Sequence, residues 1–147
     1  MVKAYCCLNA TALDFAKLGR LYLNKGQWQG QQIVSAGWVN TTTHPDTLFH
    51  KGYKNQWWAV NQYKFFKDSV LAVKYQQDNG IKEAIGKNKS GMYYLRLHSV
   101  DFEAEGILQQ TIYVNPHNGV IIVRLGNYPG KRVNFPDIFI PQLGRQL

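Results

Sequence analysis

The stretch from Asp101 to Gly126 restricts the fold more than any other part of the chain. Thr111 to Asn115 alternates polar and apolar side chains, Pro116-His117-Asn118-Gly119 has turn composition, and Val120 to Val123 is an unbroken β-branched run. Together they spell an antiparallel hairpin. Because its apolar run is uninterrupted, the second arm is expected to be buried on both faces. The segment before the hairpin closes on Glu105-Gly106-Ile107. A glycine at a strand end lets a backbone N–H approach a bound group, because no side chain stands in the way, and Gly106 is therefore a candidate oxyanion neighbour. Spacing alone also fits a bulge or strand-end glycine with no further role.

Upstream, Thr11-Ala-Leu-Asp14 has the form of a capping box and predicts a helix from about 12 to 24, stopped at Lys25-Gly26. Its polar residues Asp14, Lys17, Arg20 and Asn24 form one thin stripe. Such a helix calls for neighbours on several sides. Gln27 to Ile33 reads as a short excursion around Gly30, after which Ser35 caps a second short helix through Asn40. Gly52 to Val60 has strand composition, as do Val70 to Tyr75 and Met92 to Leu97, the last two joined by a polar, glycine-containing stretch. The region 61–100 is expected to be an insertion within a single unit. The tail from Asn134 opens like a helix that Pro141 should end or kink.

With 147 residues and 14% aromatic content the chain is long and apolar enough for a real core. Lys and Arg outnumber Asp and Glu by 17 to 9, a net charge of +8 that favours anionic partners. The basic residues are dispersed, however, and the densest group, Lys82, Lys87 and Lys89, reads as a solvated turn; no nucleic-acid partner is expected. Cys6 and Cys7 are adjacent and form no disulfide framework, and the four histidines stand at no zinc-like spacing to them, so neither a metal nor another cofactor is expected. No apolar run approaches the roughly 18 residues that span a bilayer.

Three motifs fail on inspection. Gly80 to Asn88 misses the phosphate-loop spacing and lacks the hydroxyl that would ligate magnesium. The Tyr-x-Asn triplets at Tyr22, Tyr53 and Tyr113 have no Ser-x-x-Lys anywhere in the sequence to work with. Ser35, Ser69, Ser90 and Ser99 have no base at motif spacing. The aromatic set Trp28, Trp38, Trp57, Trp58, Tyr53 and Tyr63 suits sugar or nucleobase stacking but is better explained as core and rim packing.

The order of four blocks says more than any triplet. Asn9 to Gly26, Trp28 to Val39, Gly52-Tyr-Lys-Asn-Gln-Trp-Trp58, and Phe102-Glu-Ala-Glu-Gly-Ile-Leu-Gln-Gln110 with Ile112 to Gly126 together resemble the C-terminal half of the serine β-lactamase-like hydrolases. That family includes class C β-lactamases, D-alanyl-D-alanine carboxypeptidases, esterases and 6-aminohexanoate-dimer hydrolases. The resemblance implies an α+β fold, the C-terminal portion of the β-lactamase/DD-peptidase fold, with an antiparallel sheet and flanking helices. It also implies a bacterial chain from the cell envelope or periplasm whose nucleophilic Ser-x-x-Lys lies upstream, so that this part alone is inactive. The family's Lys-Thr-Gly motif falls on Ala104-Glu105-Gly106, where only the glycine matches. The resemblance therefore disfavours β-lactam hydrolysis and favours an esterase- or amidase-like parent. It hands the oxyanion N–H to Ile107 and sets Glu105 and Leu108 beside the pocket mouth. The expected partner is a small ester or amide, or a peptidoglycan-like substrate. In the family, the strand matching Val120 to Val123 pairs with an N-terminal strand, and its absence here would leave a sheet edge open to homodimerisation. The rival expectation is a non-catalytic module for cell-wall or anionic glycans.

Overall fold

The computed structural model describes residues 9–44, 53–97, 99–106, 109–126 and 135–147. Cys6, Cys7, His50, His98, Ile107 and Leu108 lie outside them. Within them the chain is mixed α+β, with antiparallel sheets and four helices. In chain order the elements are α1 (Ala12–Leu23), β1 (Gln27–Trp28), β2 (Gln31–Gln32), α2 (Ala36–Thr43), β3 (Tyr53–Lys54), β4 (Trp57–Ala59), β5 (Gln62–Phe66), α3 (Ser69–Asp78), β6 (Gly86–Lys87), β7 (Tyr93–Leu97), β8 (Phe102–Gly106), β9 (Gln110–Asn115), β10 (Val120–Arg124) and α4 (Phe135–Gln146). The chain forms two compact units, one from residues 1–59 and 100–147, the other from Val60–Ser99.

The first unit is built on a five-stranded sheet in the order β10-β9-β8-β4-β3. β9 pairs in register with β10 from Val120↔Asn115 to Arg124↔Thr111, and with β8 from Phe102↔Val114 to Gly106↔Gln110. Side chains alternate across the strand. Ile112 and Val114 join Phe102 and Trp57 in a core against Phe15, Tyr22 and Leu23 of α1. On the other face Tyr113 meets the end of α4, where a Cβ on Gly144 would fall 2.1 Å from the tyrosine ring. Burial thus differs from the expectation for the hairpin. The first arm is the one buried on both faces, while Val120 to Arg124 are half-buried throughout. Position in the sheet decides this, since among the described residues β10 has a paired strand on one side only.

α1 begins with the expected capping box: Thr11 Oγ1 accepts from the Asp14 N–H, and Asp14 accepts in return from the Thr11 N–H. The helix lies close to the sheet at Gly19, where a Cβ would stand 2.9 Å from Ile121 Cγ2 and 3.2 Å from Ile112 Cγ2. Among the described residues it is covered on one side only. Leu13 is 75% exposed and Leu18 38%, so the neighbours its apolar circumference calls for are not present among the described residues. Trp28↔Gln31 and Lys54↔Trp57 each close a two-residue hairpin, and both central residues have positive φ in Gln29-Gly30 and in Asn55-Gln56. That backbone matches the twist of paired strands. The strand expected over Gly52 to Val60 is accordingly two strands, and the excursion at Gln27 is a miniature hairpin.

α4 runs on through Pro141 rather than ending there. An interior proline costs about 3 kcal/mol in a helix. Here the C-terminal end is tied to the sheet: Asn115 and Asn118 both donate from Nδ2 to the Gly144 carbonyl, and Arg145 reaches Asp101.

The second unit is a three-stranded sheet, β5-β7-β6, with α3 on one face. Phe66, Leu95 and Ala72 form its core. Val70 to Tyr75 is helical rather than extended, which corrects the strand expected there. Asp68 accepts from the Leu71 N–H at 2.8 Å and starts the helix, and this local cap outweighs the β-branched composition.

Candidate functional site

β8 ends in a hollow of about 200 Å³ in the first unit. Ala104, Glu105 and Gly106 form one wall and Phe15 of α1 another. The start of β9 and Leu125 close it, with Gln56 of the β3–β4 turn at its rim. Each wall has a local cause. The capping box fixes the start of α1 and so the position of Phe15, and the β8–β9 register sets Glu105 opposite Thr111 and Gly106 opposite Gln110. The two described residues that the sequence singled out, Glu105 and Gly106, therefore stand side by side on this hollow, both exposed. The other two, Ile107 and Leu108, are the ones outside the described residues.

Gly106 is exposed, and a Cβ there would have room. Its nearest neighbours there are Gln110 Cβ at 3.7 Å and the Gln110 carbonyl oxygen at 3.8 Å, ordinary contact distances. Among the described residues no steric demand explains the glycine, and its bare backbone leaves room for a bound group. Strain collects near the same place. Gln56 and Gln109 both have positive φ, 73° and 61°, a conformation that costs a non-glycine residue of order 1–3 kcal/mol. Gln109 is held there by its carbonyl, which accepts from Arg124 Nη1 and from Thr111 Oγ1.

The chemistry available is positioning rather than attack. Among the described residues lining the hollow there is no Ser, Cys, Lys or His, and the Thr111 hydroxyl is committed to Gln109. Among the described residues, no group of three His, Cys, Asp or Glu could hold a metal ion, and no helix is long and apolar enough to cross a membrane. Tyr113, from one of the three Tyr-x-Asn triplets, is fully buried on the opposite face of the sheet and bonded to Asp101. Burial first, and then the Asp101 carboxylate, push its ionisation above the ordinary phenol range. It cannot serve as a proton carrier for the hollow.

The linkage of Asp101, Tyr113 and Arg145 escaped the sequence reading, since the partners lie 12 and 44 residues apart with no motif joining them. The aromatic set divides. Trp57 is a core residue, 4.4 Å from Tyr22 and 5.2 Å from Phe102 between ring centroids, whereas Trp38 and Tyr63 are half exposed. No protein-family model matches the chain, and no curated protein sequence matches it either.

Proposed function

We propose that this chain is the C-terminal portion of a β-lactamase-like serine hydrolase, which cleaves an ester or amide through an acyl-enzyme. The serine and its lysine base belong to a part of the protein outside these 147 residues. What carries the reading is the hollow at the end of β8, where the bare backbone of Gly106 opens between Phe15 and Thr111. In this reading the serine Oγ attacks the substrate carbonyl carbon, and the N–H of Ile107 donates to the oxygen as it gains charge. Removing one such donor typically lowers the rate about a hundred- to a thousand-fold. Ala104 and Glu105 stand in place of the Lys and Thr that would engage a substrate carboxylate, which favours an ester or amide without that group over a β-lactam. The exposed apolar side of α1 and the side of β10 that has no paired strand among the described residues fit a chain that has further parts to pack against.

Two measurements test it. The coding sequence upstream should encode Ser-x-x-Lys followed by Tyr-x-Asn, and the longer product should hydrolyse p-nitrophenyl acetate and take up a fluorophosphonate probe. The 147-residue chain alone should do neither. Stoichiometric acylation of this chain by itself, or an upstream frame with no such serine, would defeat the proposal.

A further inference from the structure

α3 carries its aliphatic side chains on the side away from the sheet it packs on. It buries Ala72 with Phe66 and Leu95, and Tyr75 packs at the edge of that core. Val70, Leu71 and Val73 instead stand outward, 74%, 52% and 39% exposed. A helix on a sheet ordinarily shows the reverse, an apolar stripe inward and a polar one outward. The Asp68 cap fixes where the first turn begins, but a cap makes no demand for aliphatic residues at Val70 and Leu71.

The exposed turn belongs to one end of the unit. β5 runs into it through Lys67 and Asp68 alone, and the hairpin joining β6 to β7 closes at the same end. Phe66 is the register partner of Tyr93, and Tyr93 of Lys87, so the last residue of β5, the first of β7 and the last of β6 lie in one row across the sheet. Past this row Asn88 ties the hairpin shut. Its N–H donates to the Met92 carbonyl at 2.9 Å, and its Oδ1 accepts from the Met92 N–H at 2.9 Å, with Lys89 in the turn between. Lys67, Lys87 and Lys89, all exposed, therefore belong to the end where Val70 and Leu71 emerge, and Lys74 follows Val70 one helical turn on.

Charge is sorted along the unit. Its acids in sequence are Asp68, Asp78 and Glu83. Asp68 caps α3, Asp78 closes the last turn of that helix, and Glu83 pairs at 3.2 Å with Arg96, which sits toward the other end of β7. Among the described residues Lys67, Lys74 and Lys89 have no acidic partner. Aliphatic tips flanked by ammonium groups select among anionic partners. Single-stranded nucleic acid binds through cations and stacking rings, and Val70 and Leu71 offer it nothing. Protein interfaces favour aromatics, Met and Arg and are depleted in Lys. An anionic bilayer surface takes both parts at once, since aliphatic side chains enter the acyl boundary while lysine stems lie along it and keep their charge among the headgroups. We infer that the β5–α3 end of the Val60–Ser99 unit is a membrane-surface contact, Val70 and Leu71 entering an anionic leaflet and Lys67, Lys87 and Lys89 holding its headgroups. α3 is too short to cross a bilayer, so the contact is peripheral. It does not depend on the hydrolase reading.

The test is co-sedimentation of the full chain with vesicles of mixed phosphatidylglycerol and phosphatidylcholine, against vesicles of phosphatidylcholine alone, at low and high salt. Saturable binding to the anionic vesicles is expected, about tenfold or more tighter than to the neutral ones and weakened by salt. Val70→Ser with Leu71→Ser should lower that affinity about tenfold or more with an unchanged circular dichroism spectrum. Val70→Trp, which enlarges the inserted side chain, should raise it. Lys67→Gln and Lys89→Gln should each weaken binding about fivefold at low salt and change little at high salt. Should the serine variant fail to fold, the tryptophan and lysine variants decide in its place. Three results would overturn the inference: no binding to anionic vesicles at low salt, binding that the folded serine variant retains in full, or binding of a thymidine 15-mer or of a second copy of the chain that the serine substitutions abolish.

Discussion

The Tyr113 hydroxyl donates a 2.7 Å hydrogen bond to Oδ2 of Asp101, the same oxygen that accepts from Arg145 Nε at 2.6 Å. Tyr113 is 0% exposed and Asp101 3%, so the phenol and the carboxylate exchange water for each other. Leaving a buried acceptor short of one donor costs about 1–3 kcal/mol. Tyr113→Phe should lower stability by that amount in urea melts. The hydroxyl also sets an alkaline limit. Since its folded pKa is raised, its contribution is fully present below the unfolded phenol value of about 10 and is lost as pH rises through the folded value. Native stability should fall as pH rises above about 10 toward the folded value, and the Phe variant should fall less over the same window.

Arg145 joins α4 to the sheet through a carboxylate that has almost no water of its own. Breaking a buried pair from one side costs up to about 3–5 kcal/mol, and less here because the Arg145 side chain is 22% exposed and Asp101 keeps its bond from Tyr113. Arg145→Met should still destabilise more than Tyr113→Phe. Adding Asp101→Asn to Arg145→Met should recover part of the loss. A double-mutant cycle with no coupling between the two positions would show that α4 is held by its Asn115 and Asn118 contacts instead.

The approach of α1 to the sheet rests on a missing side chain. Gly19→Val would drive methyl groups into Ile112 and Ile121, whose Cγ2 atoms already lie 3.2 and 2.9 Å from where a Cβ would sit. Overpacking of this kind costs about 1–3 kcal/mol. A thermal melt of the variant should show it directly.

What could be read ahead was local. The hairpin turn, the capping box at Thr11 and the Ser35 cap each declare themselves within four residues, and the structure has all three. α3 was hidden because Val70 and Val73 carry strand propensity while the deciding signal is one carboxylate at Asp68. Which hairpin arm is central depends on β8, whose pairing with β9 no pattern in the arms reveals. The same holds at the hollow. Glu105 and Gly106 were visible as a strand end, but Phe15 and Gln56 reach it from segments roughly 90 and 50 residues earlier, and only the assembled sheet brings them there.

The capping box makes α1 sensitive to acid. Lys17 first and Thr11 second hold the Asp14 carboxyl down at about 2. A depressed carboxylate stabilises the fold above its unfolded value of about 3.9, and that support is lost as pH falls through the folded value. The effect should be confined to that interval and should vanish in Asp14→Asn. Thr11→Ala removes the cap itself and should cost about 1 kcal/mol at neutral pH. Helical circular dichroism followed from pH 5 to pH 1.5 separates the two.

β10 is the remaining exposed consequence. Val120 to Arg124 pair with β9 on one side, and among the described residues nothing is paired to the other, so a row of backbone donors and acceptors is left for a second chain. Isoleucine and valine at four of its five positions make such pairing favourable, and a second copy of this chain offers the same edge. Light scattering across a hundredfold range of concentration should show a monomer passing into a dimer, and amide exchange in β10 should slow over the same range. Placing a charge at the centre of the edge with Ile122→Lys should move the dimer transition to higher concentration. A chain that stays monomeric throughout, with β10 amides exchanging at one rate, would mean that the edge is already satisfied within the molecule.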